Sequence, residues 1–224
     1  MTSSARRFVD LSHTVSDGLV TYPGLPAPRI RPHLTREASR ASYAPGTEFA
    51  LDVIEMIGNT GTYLDSPFHR YEGGTDLAGL DLATLVDLPA VVVTARGDRA
   101  IGPEAFDGLD VRGAAVLLST GWDALFGAPG YATDAPFLTE EGARVLVAGG
   151  AVLVGIDSLN IDDAQGIGTR PAHSLLLGAG VHVVEHLTGL SELPASGARF
   201  TAVPPKVSGF GTFPVRAFAV VDAP

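Results

Sequence analysis

The chain has 224 residues, 46% of them hydrophobic, which is enough to bury a sizeable core and is most simply one domain spanning residues 1–224. Its 15 basic and 25 acidic residues leave a formal charge of −10, with Lys206 as the single lysine and the arginines scattered, which argues against a polyanion such as nucleic acid as a partner. Cysteine is absent, so disulfides and thiolate metal sites are excluded.

Taken in chain order, residues 1–10 carry Arg6-Arg7 but no following apolar run and no cleavage pattern, so no signal peptide is expected. The longest apolar run, residues 143–156, is broken by Arg144 and by glycines and is too short to span a membrane; the expectation is a cytoplasmic protein. Residues 27–46, with several prolines and arginines, read as a long excursion lying over a site or a neighbouring subunit. Runs that are apolar or alternating, bounded by glycine, proline or charge, predict strands at 49–57, 90–95, 114–119, 152–156, 180–187 and 217–221. Helices are few. Thr139 before Glu140-Glu141, with Gly149-Gly150 as a stop, predicts one over 139–148, and Gly102-Pro103 predicts a shorter one over 104–106.

The segment Ile57-Gly58-Asn59-Thr60-Gly61-Thr62-Tyr63-Leu64-Asp65-Ser66-Pro67-Phe68-His69 concentrates polar groups. As an extended strand it would turn Asn59, Gly61, Tyr63 and Asp65 to one face and Thr62 and Leu64 to the other. Ser66-Pro67 ends regular pairing, which leaves His69 on a turn just beyond. Read without further context, this is a half-exposed polar strand. In Val181-His182-Val183-Val184-Glu185-His186-Leu187 the same alternation sets Glu185 among Val181, Val183 and Leu187, with His182 and His186 opposite. A carboxylate on an apolar face needs a cation, a metal or a proton donor beside it, and an arginine such as Arg170 would serve as well as a metal. His173, after Pro171 and before Leu175-Leu176-Leu177, reads as a packed or capping residue or as a ligand. Asp157, Asp162 and Asp163 around Asn160 read as a solvated turn or a helix start. Trp122, the only tryptophan, reads as core or as a pocket wall, and His13 and Arg170 are weak candidates for substrate contact.

The 59–69 pattern resembles the His-x-Gly-Thr-His-x-Asp-x-Pro-x-His motif of the cyclase or kynurenine formamidase family, which includes arylformamidases and isatin hydrolases. Gly61, Thr62, Asp65, Pro67 and His69 match it, whereas Asn59 and Tyr63 stand where that family has histidines. Asp10-Leu11-Ser12-His13 with Thr21-Tyr22-Pro23-Gly24, Thr120-Gly121-Trp122-Asp123, Gly155-Ile156-Asp157-Ser158, Pro171-Ala172-His173-Ser174 and Val183-Val184-Glu185-His186-Leu187 extend the resemblance from about residue 8 to about residue 220.

The resemblance implies an α/β fold with a mixed β-barrel-like core and few helices, of the swivelling β/β/α kind, assembled as a homodimer or homotetramer. It implies a hydrolase of a small cyclic or aryl amide or formamide. By the same correspondence Asp65, His173 and Glu185 would hold one divalent metal, zinc or manganese, and His69 would move the proton. The second metal position is expected to be absent, because an amide at Asn59 and a phenol at Tyr63 are poor substitutes for imidazole. Tyr63 and Asn59 would instead hold Asp65 by hydrogen bonds, or Tyr63 would donate to a developing oxyanion. Two further readings stand beside the hydrolase: a cyclase, dehydratase or isomerase using Tyr63 and His69 as acid and base, and a catalytically silent small-molecule binding protein.

Overall fold

The computed structural model describes residues 6–165 and 168–222; residues 1–5 of the N-terminal segment read above lie outside them. The described chain opens with β1 (Arg6–Asp10), leaves the body in an arm of β2 (Arg29–Leu34), the single turn α1 (Arg36–Ser39) and β3 (Leu51–Glu55), and returns through β4 (Tyr63–Asp65). There follow β5 (Leu88–Thr94), β6 (Ala100–Ile101), β7 (Ala115–Ser119), β8 (Phe137–Leu138), helix α2 (Glu140–Gly149) and β9 (Leu153–Ile156). Helix α3 (Pro171–Gly178), β10 (His182–Glu185), β11 (Arg199–Thr201), β12 (Thr212–Pro214) and β13 (Phe218–Asp222) complete it.

Nine of these strands form one mixed sheet in the order β1-β13-β11-β5-β7-β9-β10-β4-β12. The centre, β5-β7-β9-β10, is parallel, and its strands are the continuous apolar runs that burial on both faces demands. The flanking strands are antiparallel. The sheet curls until Ser12, beyond β1, bridges Leu187, beyond β10. This is the barrel-like α/β architecture with few helices that the family resemblance implies. Among the described residues no helix is long and apolar enough to cross a membrane.

Alternation along the central strands sorts the core into two layers. Leu117, Leu153 and Val184 face one apolar cluster inside the curl, together with Leu64, Phe200 and Val9. Val116, Leu118, Val154, Ile156 and Val183 face the other, which α2 and α3 cover with Leu146, Ala172 and Leu176. Thr139 caps α2 by accepting the Gly142 N–H at 3.0 Å, as its sequence signal predicts.

Two expectations change, and one gains detail. Residues 27–46 do leave the body as an excursion, but one with structure of its own: β2 and α1 lie within them, and β2 pairs with β3 in an antiparallel ribbon exposed on both faces, which weakens any hydrophobic alternation. The extended stretch through Asn59 and Gly61 shrinks to β4, because Gly61 adopts a left-handed φ of 64° that no strand residue takes and that glycine tolerates. The alternation through β10 stops at His186, whose φ of 56° swings Leu187 into the cluster of Val184 rather than leaving it on the face of Glu185.

Candidate metal centre and its cavity

Register places the acidic floor of the site. In the antiparallel pair of β4 and β10, Tyr63 lies opposite Glu185 and Asp65 opposite Val183, while β12 sets Thr212 opposite Asp65. Leu64 and Val184 point into the inner cluster, so Tyr63, Asp65 and Glu185 all face the layer of α3. Helix α3 then lays His173, in its first turn, over them.

How α3 starts explains why His173 arrives in a defined orientation. Pro171 occupies the first helical position, where no N–H is needed, and the preceding Arg170 stands outside the helix in the left-handed region, at φ 48° and ψ 57°. Asp162 closes the helix start: its carboxylate accepts the N–H groups of Ala172 at 2.7 Å and His173 at 3.0 Å, and the ring Nδ1 of His173 at 2.7 Å. Of the acidic cluster read as a solvated turn, Asp162 is therefore buried, while Asp163 stays partly exposed. Asp157 is likewise enclosed, accepting the Thr120 N–H at 2.9 Å, the Thr120 hydroxyl at 2.5 Å and the Gly121 N–H at 2.9 Å. The helix-start half of that reading holds for Asp162.

With Nδ1 committed, His173 presents Nε2 to two carboxylates, at 3.5 Å from Asp65 Oδ2 and 3.5 Å from Glu185 Oε1. His69 closes the group from the short turn Pro67–His69. Its position depends on a close approach of the backbone at Gly211, where a Cβ would come within 2.6 Å of the His69 Cα. Thr212 hydrogen-bonds both Asp65 Oδ1 and, at 2.7 Å, His69 Nδ1. A hydroxyl has one proton, and the carboxylate can only accept it; His69 Nδ1 therefore carries the hydrogen, and Nε2 is left as a lone pair. Donor atoms of Asp65, His69 and His173 all lie within 4.8 Å of one another. Asp65 Oδ2 is buried without any hydrogen-bond partner. An unpartnered carboxylate oxygen facing two imidazoles is what a hard divalent cation requires, so the residues fit a metal.

Electrostatics agree with that fit. Burial alone would lower the His173 pKa, but its hydrogen bond to Asp162 and the nearby carboxylates of Asp65 and Glu185 carry it up to about 10. Glu185 is pushed up to about 7, by burial first and by the charge of Asp65 against the pull of His173. Such a concentration of buried negative charge draws a cation to itself.

The other half of the floor is built differently. The Tyr63 hydroxyl donates to Glu185 Oε2 at 2.5 Å, and the Ile161 N–H donates to Oε1 at 2.6 Å. Asn59 hydrogen-bonds the same phenol, whose pKa is pushed well above its ordinary value by burial and by the charges of Glu185 and Asp65. Tyr63 thus holds Glu185, while Asp65 takes its hydrogen bond from Thr212.

Above the floor opens a cavity of about 490 Å³, a size that suits a small organic molecule. Tyr22, Pro23, Gly24 and Leu25 form one wall, and Asn59, Tyr63, His69, His173 and Glu185 the floor; Arg70, Asn160 and Arg170 add polar groups. Trp122 lies elsewhere, with its indole N–H on the Tyr131 carbonyl at 2.8 Å. His13 stacks on Phe126 with ring centroids 3.7 Å apart and does not line the cavity. Arg170 is not the partner of Glu185; it donates to the Asp163 carbonyl at 2.9 Å. The sequence reads Asp162 only as part of a turn or helix start, not as the partner of His173, and it does not point to Thr212. Asp162 acts on a residue far along the chain, and Thr212 sits in a strand too short to show a pattern.

Fold and site together define an α/β protein with a buried mixed histidine and carboxylate centre suited to a divalent metal. The chain belongs to the putative cyclase family, whose model matches residues 9–163. It is 28% identical over 212 residues to the kynurenine formamidase of Geobacillus thermodenitrificans, covering 94% of this chain and 95% of that one. With the kynurenine formamidase of Bacillus cytotoxicus it shares 25% identity, over 95% and 97% of the two chains. Among solved structures, isatin hydrolase A from Labrenzia aggregata, bound to benzyl benzoate, superposes with a TM-score of 0.83 at 26% identity, over 97% and 94% of the two chains. A predicted metal-dependent hydrolase from Bacillus stearothermophilus superposes with a TM-score of 0.76 at 26% identity, over 97% and 99%.

Proposed function

We propose that the protein is a metal-dependent hydrolase that cleaves the C–N bond of a small cyclic or aryl amide or formamide. The observation that carries this reading is the unpartnered, buried Asp65 Oδ2, grouped with the imidazoles of His69 and His173 beside a small-molecule cavity. The formamidases and the isatin hydrolase that the chain resembles over nearly its whole length support the reaction class. Asp65, His69 and His173 would hold one zinc or manganese ion, with Glu185 beside them. Bound there, the ion would lower the pKa of a water molecule and polarise the substrate carbonyl.

The protein's own groups supply the rest. Asp162 fixes His173 in the tautomer that leaves Nε2 free. Tyr63 and the Ile161 N–H fix both oxygens of Glu185. His69 has a second duty open to it, because its side chain is 36% exposed against 8% for His173. It is the imidazole placed to pass a proton between the cavity and solvent, and so to the leaving nitrogen.

Metal analysis of the purified protein tests this directly. One divalent ion per chain, with turnover of an aryl formamide that a chelator abolishes, is the expected result. Protein that takes up no divalent ion, or whose turnover ignores the chelator, refutes the mechanism. His69→Ala separates the two duties of that residue: loss of the ion together with turnover identifies a ligand, and a retained ion with a slowed chemical step identifies the proton carrier. The double substitution Asn59→His with Tyr63→His, which restores the family pattern, is expected to raise the content to two ions per chain.

A further inference from the structure

Resting on that hydrolase reading, we propose that Asn160 supplies the hydrogen-bond donor for the oxygen of the substrate's scissile carbonyl. The residue stands just past the carboxyl end of β9, and the carboxyl ends of parallel strands are where α/β sheets place their ligands. Main-chain bonds from the His186 N–H to the Ser158 carbonyl at 3.3 Å and from the Leu187 N–H to the Ile156 carbonyl at 3.0 Å hold this segment against the end of β10. The next two residues already serve the site: the Ile161 N–H fixes Glu185 Oε1 at 2.6 Å, and the Asp162 carboxylate fixes His173. Ile161 and Asp162 are buried, whereas Asn160 is half-buried and lines the cavity.

One bond orients the side chain. Asn160 Oδ1 accepts the Asp162 N–H at 3.0 Å, an Asx turn that occupies the amide oxygen and leaves the amide nitrogen with two donors. Among the described residues those donors have no hydrogen-bond partner. The other polar groups of the floor are committed. A phenol has one proton, and Tyr63 gives it to Glu185, so the oxyanion role that the sequence left open for Tyr63 passes to another donor. Asn59 is hydrogen-bonded to that same phenol. The sheet order β9-β10-β4-β12 also separates two duties across the floor: Asn160 follows β9, whereas His69 follows β4 and is fixed by Thr212 of β12. In the reaction the water oxygen adds to the carbonyl carbon, and the C=O pair moves onto the oxygen that faces the Asn160 N–H. When that pair returns, the C–N bond breaks and its electrons leave with nitrogen. Of the two hydrogens of the water, one reaches nitrogen by way of His69 and the other goes to the product acid.

The test compares Asn160→Asp, Asn160→Ser and Asn160→Ala in the full-length zinc-loaded protein with formanilide as substrate. Aspartate has the shape of asparagine and keeps the acceptor of the turn but has no N–H, while serine keeps an acceptor and one donor. Per bound zinc, kcat is expected to fall about 10²–10³-fold in Asn160→Asp and Asn160→Ala, with a smaller change in KM, and to fall less in Asn160→Ser. The zinc content of Asn160→Asp should stay at the wild-type level. A role in the turn alone predicts a different order, with Asn160→Asp as active as the wild type and only Asn160→Ala impaired; that result, or full activity in all three, overturns the proposal. Should Asn160→Ala not fold, Asn160→Asp and Asn160→Ser decide alone. If the wild type leaves formanilide unhydrolysed, the hydrolase reading falls, and calorimetric binding of formanilide decides for Asn160. Binding weakened about tenfold in Asn160→Asp and Asn160→Ala keeps the donor, and an unchanged affinity, or no binding to the wild type, overturns it.

Discussion

His173 and His186 are buried almost equally, at 6% and 0% exposure, yet their chemistry is opposite. Carboxylates of Asp162, Asp65 and Glu185 surround His173 and carry its pKa up to about 10 against the effect of burial. His186 is packed among the rings of Tyr63, Tyr131 and Phe126, and burial, with His13 nearby, pushes it down to about 3. Burial therefore does not mark a functional histidine; the charges facing it do. The same contrast separates the two halves of the cavity floor, where Asp65 keeps an oxygen free and Glu185 has both oxygens occupied.

The largest effect that would break this comparison is removal of the charged group itself. Asp65→Asn and His173→Ala are expected to abolish stoichiometric metal binding, a loss exceeding the roughly 10–100-fold typical of an outer partner, and turnover should fall with it. Retention of a full equivalent of ion in either variant would show that the cation sits elsewhere.

A second measurement examines the ring-packed side. His186, at about 3, and His182, pushed by burial down to about 4, remain neutral in the folded chain while the unfolded chain takes up protons below about 6.5. Between pH 6.5 and 4 these two histidines make the unfolded state bind more protons and lower stability as pH falls, by up to a few kcal/mol, while Glu185, raised to about 7, works in the opposite direction. Urea unfolding at steps across that window should show the decline, and His182→Gln, which does not titrate there, should make it shallower. An unchanged slope in His182→Gln would mean that His182 is not the neutral buried group described.

Asp162→Asn sharpens the comparison from the other direction. It keeps an acceptor for the N–H groups that start α3 but removes the charge that sets the His173 tautomer. Metal affinity is expected to drop about 10–100-fold with the fold intact, as judged by circular dichroism and calorimetry. An affinity like the wild type would show that the tautomer needs no carboxylate.

Much of this contrast was legible in the chain and part of it was not. The parallel strands β5, β7, β9 and β10 show as apolar runs because both their faces are covered, and Asp65, His69, His173 and Glu185 stand out through the family resemblance, since alternation alone reads the 59–69 stretch as a half-exposed polar strand. Helix α3 was missed, although Pro171 at its first position was a usable signal; Leu175-Leu176-Leu177 reads as readily as a buried strand. The bond of Asp162 to His173 spans 11 positions and leaves no local trace. The positive φ of Gly61 and His186 defeated alternation at the two places where the chain turns around the site.

The smallest expected effect lies where the ring cluster makes its one polar contact. The Tyr131 hydroxyl and His186 Nδ1 are 2.7 Å apart, while His186 Nε2 is buried with no partner. Tyr131→Phe leaves both ring nitrogens unpartnered and should cost about 1–3 kcal/mol. His186→Leu removes the other side and leaves a buried phenol hydroxyl in need of a partner. The double substitution replaces both polar groups with apolar ones, so its cost should be less than the sum of the two, by a coupling of about 1 kcal/mol. Metal content should not change in any of the three, because neither Tyr131 nor His186 belongs to the candidate ligand group. Strict additivity would mean that the 2.7 Å contact contributes nothing, and a loss of metal would mean that the two histidine environments are mechanically joined through Tyr63, whose ring packs on His186 at 5.2 Å while its hydroxyl holds Glu185.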